Sequence, residues 1–434
     1  MMTRWRLAVI GGGLAVLALF ALLYVLVPAT YMAILTGWGI VPYRFPFLDT
    51  HAILSALQCA GRGIDPYRYN PCDVLSRAFV YSPAMLEASV LPVTPAWNAP
   101  VGILFALLYF IAVASLPPPR GAGGWAVMAL ALFSTMSVFA LERGNVDLLM
   151  FALVVLAGHL ARRGAIVRGL GYAVIVVAAL LKYYPIVALI VALRERPRRM
   201  LSIAFWTGAI LVLFVIHYRE RLTEALALVP VGSYYTDFFG AKNLPFGLAG
   251  LLLPIAAWPG GRLVLTILPW LVLAALLWGV GVIAITGLGS RAVVAKLPEP
   301  ERLFLLMGAA LIVGCFLAGQ NIGYRGIDFL LLLPGLMALA RLPKDGRRFF
   351  VTVALIIFLM WGELFDEMFL HLQLADSSLA PAAKFAGLTF WLLRELVWWR
   401  VIGTLAGLLL CFVVETPLAQ FPWPRRAARR RVAR

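Results

Sequence analysis

The sequence predicts an all-α, polytopic integral membrane protein, and three observations support this. The 434-residue chain is 63% hydrophobic and only 13% charged, a composition far from that of a soluble domain. Apolar runs long enough to cross a bilayer recur from end to end and predict about twelve transmembrane segments. Most of the 37 Lys and Arg residues fall in short connections on one side of that path, which the positive-inside bias makes cytoplasmic.

The first apolar run lacks a convincing small-residue cleavage site, so we interpret it as a retained anchor. Residues 169–193 contain Lys182 and Pro185, and as a single helix they would place the arginines of 194–199 outside. We therefore predict a re-entrant helical hairpin with Lys182 at its outer tip, because proline breaks helices and irregular backbone at that depth lines a cavity. The other predicted spans are 7–27, 98–116, 125–141, 148–161, 200–217, 263–285, 304–319, 327–340, 349–361 and 397–414.

This path places both termini in the cytoplasm and makes residues 1–434 one membrane-embedded domain. The predicted external loops are 28–97, 218–262 and 363–396. Residues 419–434 form a basic cytoplasmic tail, which we expect to contact anionic lipid headgroups rather than nucleic acid. In the first loop, apolar spacing predicts an amphipathic helix over 49–60 that lies along the membrane surface.

Residues 43–81 form a polar segment between apolar ones, and a membrane protein generally uses such a segment. We predict that Asp49 is its catalytic residue, although Asp49 also stands where a helix N-cap is expected, a role worth about 1 kcal/mol. His51 is either a phosphate contact or an interfacial helix residue. Asp65 is either an acceptor contact or a turn former.

Four cations stand near the predicted external ends of spans or in the adjoining loops, where they could bind the phosphate of a membrane lipid. Arginine binds phosphate bidentately and lysine binds it as a point charge. Arg143 could instead pair with Glu142, and Lys182 could extend to the membrane interface. The four predicted phosphate-binding residues are Arg143, Lys182, Lys242 and Arg325.

The chain has four cysteines. Cys59 and Cys72 lie in the first external loop, where a disulfide would close a loop of about 13 residues and contribute about 3 kcal/mol. The sequence leaves open whether they are bonded. Cys315 and Cys411 fall inside predicted spans and are expected to be packing residues.

Several short motifs follow one another in a consistent order along most of the chain. Together they resemble the bacterial polyprenyl-phosphate-dependent mannosyltransferases of glycosyltransferase family 87, which have the C-type glycosyltransferase fold. The chain departs from the family pattern at Gly144-Asn145 and at Tyr81-Ser82-Pro83. The motifs are Asp49 with the helix after it, Gly63-Ile64-Asp65-Pro66-Tyr67, Tyr81-Ser82-Pro83, Arg143-Gly144-Asn145-Val146-Asp147, Leu181-Lys182-Tyr183-Tyr184-Pro185 and Asn243-Leu244-Pro245-Phe246-Gly247.

The resemblance implies an inverting transfer of a mannose-like sugar from a polyprenyl-phosphate lipid to a hydroxyl of a glycan or glycolipid acceptor. It places the enzyme in the bacterial inner membrane with its site facing the periplasm and Asp49 as general base. No metal site or cofactor motif stands out in the sequence, so no cofactor is expected and metal dependence stays open. The motif residues expected to contact substrate are His51, Asp65, Tyr67, Asn145, Tyr183 and Asn243.

Two alternatives remain at this stage. A transporter or flippase of a lipid-linked saccharide would share the composition, but transporters tend to show repeats and sites near the midplane, whereas the polar motifs here fall on one predicted face. A glycan ligase or polymerase would share the architecture and use a pyrophosphate-linked donor.

Overall fold

The computed structural model describes residues 2–229, 231–343, 346–375 and 378–420 and is built almost entirely from helices. The all-α prediction is therefore confirmed. The predicted basic tail lies, from residue 421 onward, outside the described residues. The helices are α1 (Met2–Leu26), α2 (Pro28–Gly37), α3 (Leu48–Gly61), α4 (Pro83–Leu86), α5 (Asn98–Ser115), α6 (Gly121–Leu132), α7 (Thr135–Arg143), α8 (Asp147–Ala161), α9 (Ala165–Leu181), α10 (Pro197–His217), α11 (Arg219–Ala227), α12 (Asn243–Leu251), α13 (Gly261–Gly287), α14 (Arg291–Val294), α15 (Glu299–Ala318), α16 (Phe329–Ala340), α17 (Gly346–Met360), α18 (Gly362–Ala375), α19 (Ala380–Glu415) and α20 (Pro417–Gln420).

Short 3-10 helices and one small sheet complete the secondary structure of the described residues. The sheet pairs β1 (Phe238–Phe239) with β2 (Asn321–Ile322) in antiparallel register. This pairing joins the segment before α12 to the segment after α15. The 3-10 helices are Glu87–Val90, Pro95–Trp97, Tyr184–Arg194, Leu253–Ala257, Leu288–Ser290 and Gly323–Asp328.

Seven helical stretches among the described residues are long and apolar enough to cross a membrane, and the number rises to nine if each of two bent pairs counts as one span. The protein is therefore a helical membrane protein, as predicted. The total of about twelve spans and the placement of both termini in the cytoplasm stay predictions that rest on the charge bias. The seven stretches are Arg4–Leu26, Pro95–Ser115, Pro197–His217, Gly261–Val294, Glu299–Ala318, Gly323–Ala340 and Ala380–Glu415.

The chain reverses direction at the segment where the sequence predicts a hairpin. Helix α9 ends at Leu181, and the 3-10 helix Tyr184–Arg194 runs back along it. At the far end, Glu195 lies 2.5 Å from the guanidinium of Arg168 and accepts a hydrogen bond of 2.9 Å from the hydroxyl of Tyr172. Both partners belong to the first half of α9, so the two arms lie side by side. How deeply they enter a membrane stays a prediction.

Two predicted segments differ from the structure. The predicted span 125–141 is broken into α6 and α7, which meet at an angle of 44°, because Ser134 accepts a hydrogen bond from the amide of Ser137 and starts a new helix. The predicted external loop 363–396 is helical and forms α18 and the first half of α19. Arg394 and Glu395 of this segment are buried beside each other.

Helix α3 confirms the helix predicted over 49–60 and shows what holds it. Leu54 and Leu57 are buried in a cluster with Phe79 and with Met150 of α8. The helix therefore packs on the rest of the protein. Its N-cap is Phe47, in the left-handed conformation with φ of 66°, so the alternative that Asp49 is the N-cap is wrong.

Cys59 and Cys72 are bonded in the structure, with their Cα atoms 5.9 Å apart. The bond ties the last turn of α3 to the loop that follows it. We expect the double variant Cys59→Ala/Cys72→Ala to lose about 3 kcal/mol of unfolding free energy, because the open loop raises the entropy of the unfolded chain. Denaturant unfolding of the purified protein with and without reductant measures this. Reductant should destabilise the wild type and leave the double variant unchanged; an unaffected wild type would contradict the expectation.

Candidate functional site: the Asp49 cluster

The N-terminus of α3 is fixed against the turn that joins α7 to α8. The amide of Phe47 donates to the carbonyl of Glu142 at 2.7 Å, and the hydroxyl of Thr50 donates to the carbonyl of Gly144 at 2.6 Å. Gly144 has φ of 54°, and a Cβ on it would lie 2.6 Å from the Thr50 hydroxyl oxygen. Only glycine allows α3 and this turn to come so close without strain. The close contact places Asp49, on α3, next to the start of α8.

Asn145 links Asp49 to Lys182. Its Nδ2 donates to Oδ2 of Asp49 at 2.6 Å, while its Oδ1 accepts from Nζ of Lys182 at 3.2 Å and from the amide of Asp147 at 2.9 Å. These partners fix the amide orientation, because a carboxylate only accepts hydrogen bonds and an ammonium only donates them. Asn145 is fully buried. One rigid side chain therefore joins a carboxylate to a cation.

Asp147 brings two cations together. Its Oδ1 lies 2.8 Å from Nζ of Lys182, and its Oδ2 lies 3.5 Å from Nε of Arg325. Asp147 is fully buried, and a second acid, Asp328, is buried close by. The aromatic rings around the cations are those of Tyr81 and Tyr324, near Lys182, and of Tyr184, near Arg325.

Arg77 completes the surroundings of Asp49. Its Nη1 lies 3.7 Å from Oδ1 of Asp49, its Nη2 donates to the carbonyl of Leu48 at 3.0 Å, and it binds both oxygens of Asp73. Burial raises the pKa of Asp73, but its contacts with His51 and Arg77 outweigh burial and hold that pKa well below the usual range. The side chain of Asp49 is 16% exposed, so it is not closed off from solvent. We call Asp49, Arg77, Asn145, Asp147, Lys182 and Arg325 the Asp49 cluster.

Four other predicted site residues make local contacts outside the cluster. Nδ1 of His51 lies 3.3 Å from Oδ1 of Asp73 and 3.2 Å from the hydroxyl of Ser55. The hydroxyl of Tyr67, a buried residue, donates to the carbonyl of Tyr81 at 2.9 Å. Asp65 accepts a hydrogen bond from the amide of Tyr67 at 3.0 Å. This contact corresponds to the alternative in which Asp65 is a turn former. Tyr183 is half-buried and lies next to Ser82.

The remaining three predicted residues lie away from the cluster. Arg143 donates to the carbonyl of Val41 at 2.8 Å and lines a separate cavity. Lys242 is exposed at the start of α12. Asn243 is fully buried, donates to the carbonyl of Phe238 at 2.7 Å and accepts from Gln320 at 3.0 Å. Only two of the four predicted phosphate-binding cations, Lys182 and Arg325, therefore meet, and they do so at Asp147.

Three residues that the sequence analysis did not assign are part of this site or support it. Asp147 is the last residue of the Arg143–Asp147 motif and the first of α8. The sequence therefore indicated its position at the start of a helix but did not indicate its two cationic partners. Arg77 and Asp73 stand four residues apart, a spacing at which opposite charges commonly pair. That spacing was the only sequence signal for them, because their contact with Asp49 depends on the loop path.

A metal site needs several His, Cys, Asp or Glu side chains within reach of one ion. The part of the chain that the structure describes contains no such group of three or more. The carboxylates of the Asp49 cluster face cations instead: Asp147 faces Lys182 and Arg325, and Asp49 faces Arg77. These cations are the groups available to bind an anion at this site.

No family model matches the chain, and the comparisons with curated proteins and with solved structures also give no match. The resemblance to the mannosyltransferases stays an expectation drawn from short motifs. The function is therefore inferred below from the chemistry and geometry of the Asp49 cluster.

Proposed function

We propose that the protein is a membrane glycosyltransferase that moves a mannose-like sugar from a polyprenyl-phosphate donor to an acceptor hydroxyl. The observation that carries the proposal is the link from Asp49 through Asn145 to Lys182, with hydrogen bonds of 2.6 Å and 3.2 Å. Transfer from a lipid phosphate to an alcohol needs a carboxylate to take the hydroxyl proton and cations to stabilise the departing phosphate. The cluster holds both.

The reaction would be a single displacement. The acceptor oxygen attacks the anomeric carbon while the bond from that carbon to the phosphate oxygen breaks. The proton of the acceptor passes to Asp49, and the polyprenyl phosphate leaves with the bonding electron pair. Attack from the face opposite the leaving group inverts the anomeric configuration. Lys182 and Arg325 would turn from Asp147 toward the phosphate as its charge develops.

The surrounding residues would keep the base in place. Asn145 donates to one oxygen of Asp49, and Arg77 lies 3.7 Å from the other. Because Asn145 also accepts a hydrogen bond from Lys182, movement of the Lys182 ammonium group would also act on Asn145 and on the Asp49 carboxylate bonded to it. A base held in one position favours reaction of a correctly placed acceptor hydroxyl, while the two cations move to the phosphate.

The proposed location is the bacterial inner membrane with the cluster facing the periplasm. The sidedness depends on the arginine-rich connections, which the positive-inside bias assigns to the cytoplasm. On that path α3, the turn before α8 and the tip at Lys182 all lie on the opposite side. A polyprenyl-phosphate headgroup sits at that interface, as does a glycan or glycolipid acceptor.

A transfer assay tests the proposal. The purified protein in liposomes would receive radiolabelled polyprenyl-phosphate mannose and octyl mannoside as acceptor. The proposal expects a labelled product one sugar longer than the acceptor. Movement of intact donor between leaflets without bond formation would point to the transporter alternative. In a parallel reaction supplied with a pyrophosphate-linked oligosaccharide lipid, block transfer of that glycan without transfer from the mannose donor would point to the ligase alternative. Either outcome would contradict the proposal.

A further inference from the structure

We infer that a second cavity, beside the Asp49 cluster, binds a neutral, hydroxyl-rich sugar unit, and this inference rests on the proposed function for the identity of that sugar as the acceptor. The cavity has a volume of about 530 Å³, within the range of small-molecule sites. Its wall combines charged and aromatic side chains from four parts of the chain. Those used below are Arg143, Tyr235, Asp237, Glu363, Lys384 and Trp391.

Glu363 is the clearest sign that the cavity takes a ligand. It lines the cavity and is only 6% exposed, and its Oε2 has no hydrogen-bond partner among the described residues. Its other oxygen lies over Gly323, where an added Cβ would overlap it. The fold thus makes room for a carboxyl group and leaves one of its two oxygens without a hydrogen-bond partner. An unpaired buried polar atom costs free energy, and a ligand that bonds to it would recover that cost.

The mixture of charges indicates the kind of ligand. Asp237, Glu363 and Asp366 on the wall offer carboxyl groups, and Arg143 and Lys384 offer donors. Arg394 is buried and binds Asp366 and the carbonyl of Thr236. A hydroxyl both donates and accepts, so it can satisfy a carboxyl group in either protonation state and a cation as well. Neither a cation nor an anion matches both sets of groups.

Aromatic rings form another part of the wall. The rings of Tyr235 and Trp391 lie 5.0 Å apart. Both are fixed by hydrogen bonds to backbone carbonyls: Trp391 to Tyr234 at 2.7 Å and Tyr235 to Gly247 at 2.6 Å. Trp391 is only 2% exposed and packs against Tyr235, so the half-buried ring of Tyr235 is the one that offers apolar surface to the cavity. Apolar surface beside a few placed polar groups is the usual make-up of a small-molecule site. It suits the C–H face and hydroxyl rim of a sugar ring.

The cavity and the Asp49 cluster share one turn. Arg143 lines the cavity, and Asn145, two residues further, binds Asp49. The cavity and the cluster therefore lie on either side of one turn, with Lys182 and Arg325 on the cluster side. This division assigns the cavity to the acceptor and the cluster cations to the donor phosphate.

Calorimetric titration of the full-length protein in detergent tests the inference, with methyl mannoside as the neutral probe and glucosamine as the amine probe. We expect methyl mannoside to bind and Glu363→Met to weaken it about tenfold or more, since a hydrogen bond to a carboxyl group is lost. Glu363→Gln, which still donates and accepts, should lose less. Glu224→Gln, an exposed acid paired with Arg68 outside the cavity, is the matched control and should bind as the wild type does.

A second variant keeps the test independent of the buried carboxyl group. An added Cβ at Gly387, on the cavity wall, meets its nearest neighbour at an ordinary 3.5 Å. Gly387→Leu should therefore fold, and its side chain should fill part of the cavity. The affinity for methyl mannoside should fall at least about tenfold, because the leucine side chain occupies the space that the sugar would take. An unchanged affinity in both Glu363→Met and Gly387→Leu, or no binding to the wild type, would overturn the inference. Tighter binding of glucosamine that Glu363→Gln removes would overturn it too, in favour of a cation site.

The readout separates this inference from the proposed function. Methyl mannoside binding needs no donor and no transfer. If the transfer assay fails while binding and its dependence on Glu363 persist, the sugar site stands and the enzyme proposal falls. If transfer occurs but the cavity variants bind normally, only the inference falls.

Discussion

Replacing Asp49 by Asn is expected to reduce sugar transfer by about 10²–10⁴-fold, the usual contribution of a general base. The variant keeps the shape of the side chain, and its amide oxygen can still accept the hydrogen bond that Asn145 donates at 2.6 Å. The fold and the donor site should therefore survive. Donor lipid affinity, measured by titration of the purified variant, should stay close to that of the wild type while product formation is lost.

The matched control for this variant is Glu87→Gln. Glu87 is an exposed acid of the same predicted external loop, and it accepts a hydrogen bond from the hydroxyl of Tyr218. It lies outside the Asp49 cluster, so transfer should be unchanged. Full turnover by Asp49→Asn would remove Asp49 from the mechanism, and equal losses in both variants would point to a general effect of charge.

Replacing Lys182 by Gln is expected to cost both stability and donor binding. Lys182 and Asp147 form a buried ion pair at 2.8 Å, and removing one partner of such a pair typically costs about 3–5 kcal/mol because a charge is left buried. Loss of function alone would therefore not distinguish a structural lysine from a phosphate-binding one. Thermal unfolding and donor titration need to be measured together.

The double variant Lys182→Gln/Asp147→Asn separates the two roles. Both buried charges of the pair are then removed, so most of the lost stability should return, while the amide oxygen introduced by Asp147→Asn can still accept a hydrogen bond from Arg325. Donor affinity should stay at least about tenfold below that of the wild type, because one charge-assisted contact to the phosphate is missing. Recovery of donor affinity together with stability would show that Lys182 serves the fold alone.

Most of the architecture could be predicted because apolar runs and basic connections are local signals. The reversal around Lys182 followed from the same signals, since only a hairpin keeps arginines on both flanks on one side. The helical segment 363–396 could not be predicted in this way. Whether Arg394 and Glu395 are solvated or buried depends on partners from other segments, Asp366 and Thr236 among them.

The candidate site could be predicted in part. Asp49, Asn145 and Lys182 come from three distant segments, and each belongs to a motif that the sequence displays. Arg143 and Lys242 were expected to join them at the phosphate, because their positions near the ends of spans predict that they lie at the depth of lipid headgroups. Depth does not determine which way a side chain points around the helix. The structure accordingly turns Arg143 toward the second cavity and leaves Lys242 exposed.

The central claim is that the Asp49 cluster binds a polyprenyl-phosphate headgroup. A cryo-EM map of the protein with a polyprenyl-phosphate sugar tests it most directly. We predict the phosphate within hydrogen-bond distance of Lys182 and Arg325, with the sugar between them and Asp49. A phosphate bound elsewhere, such as in the groove lined by Arg348 and Arg400, with the Asp49 cluster unchanged, would contradict the account.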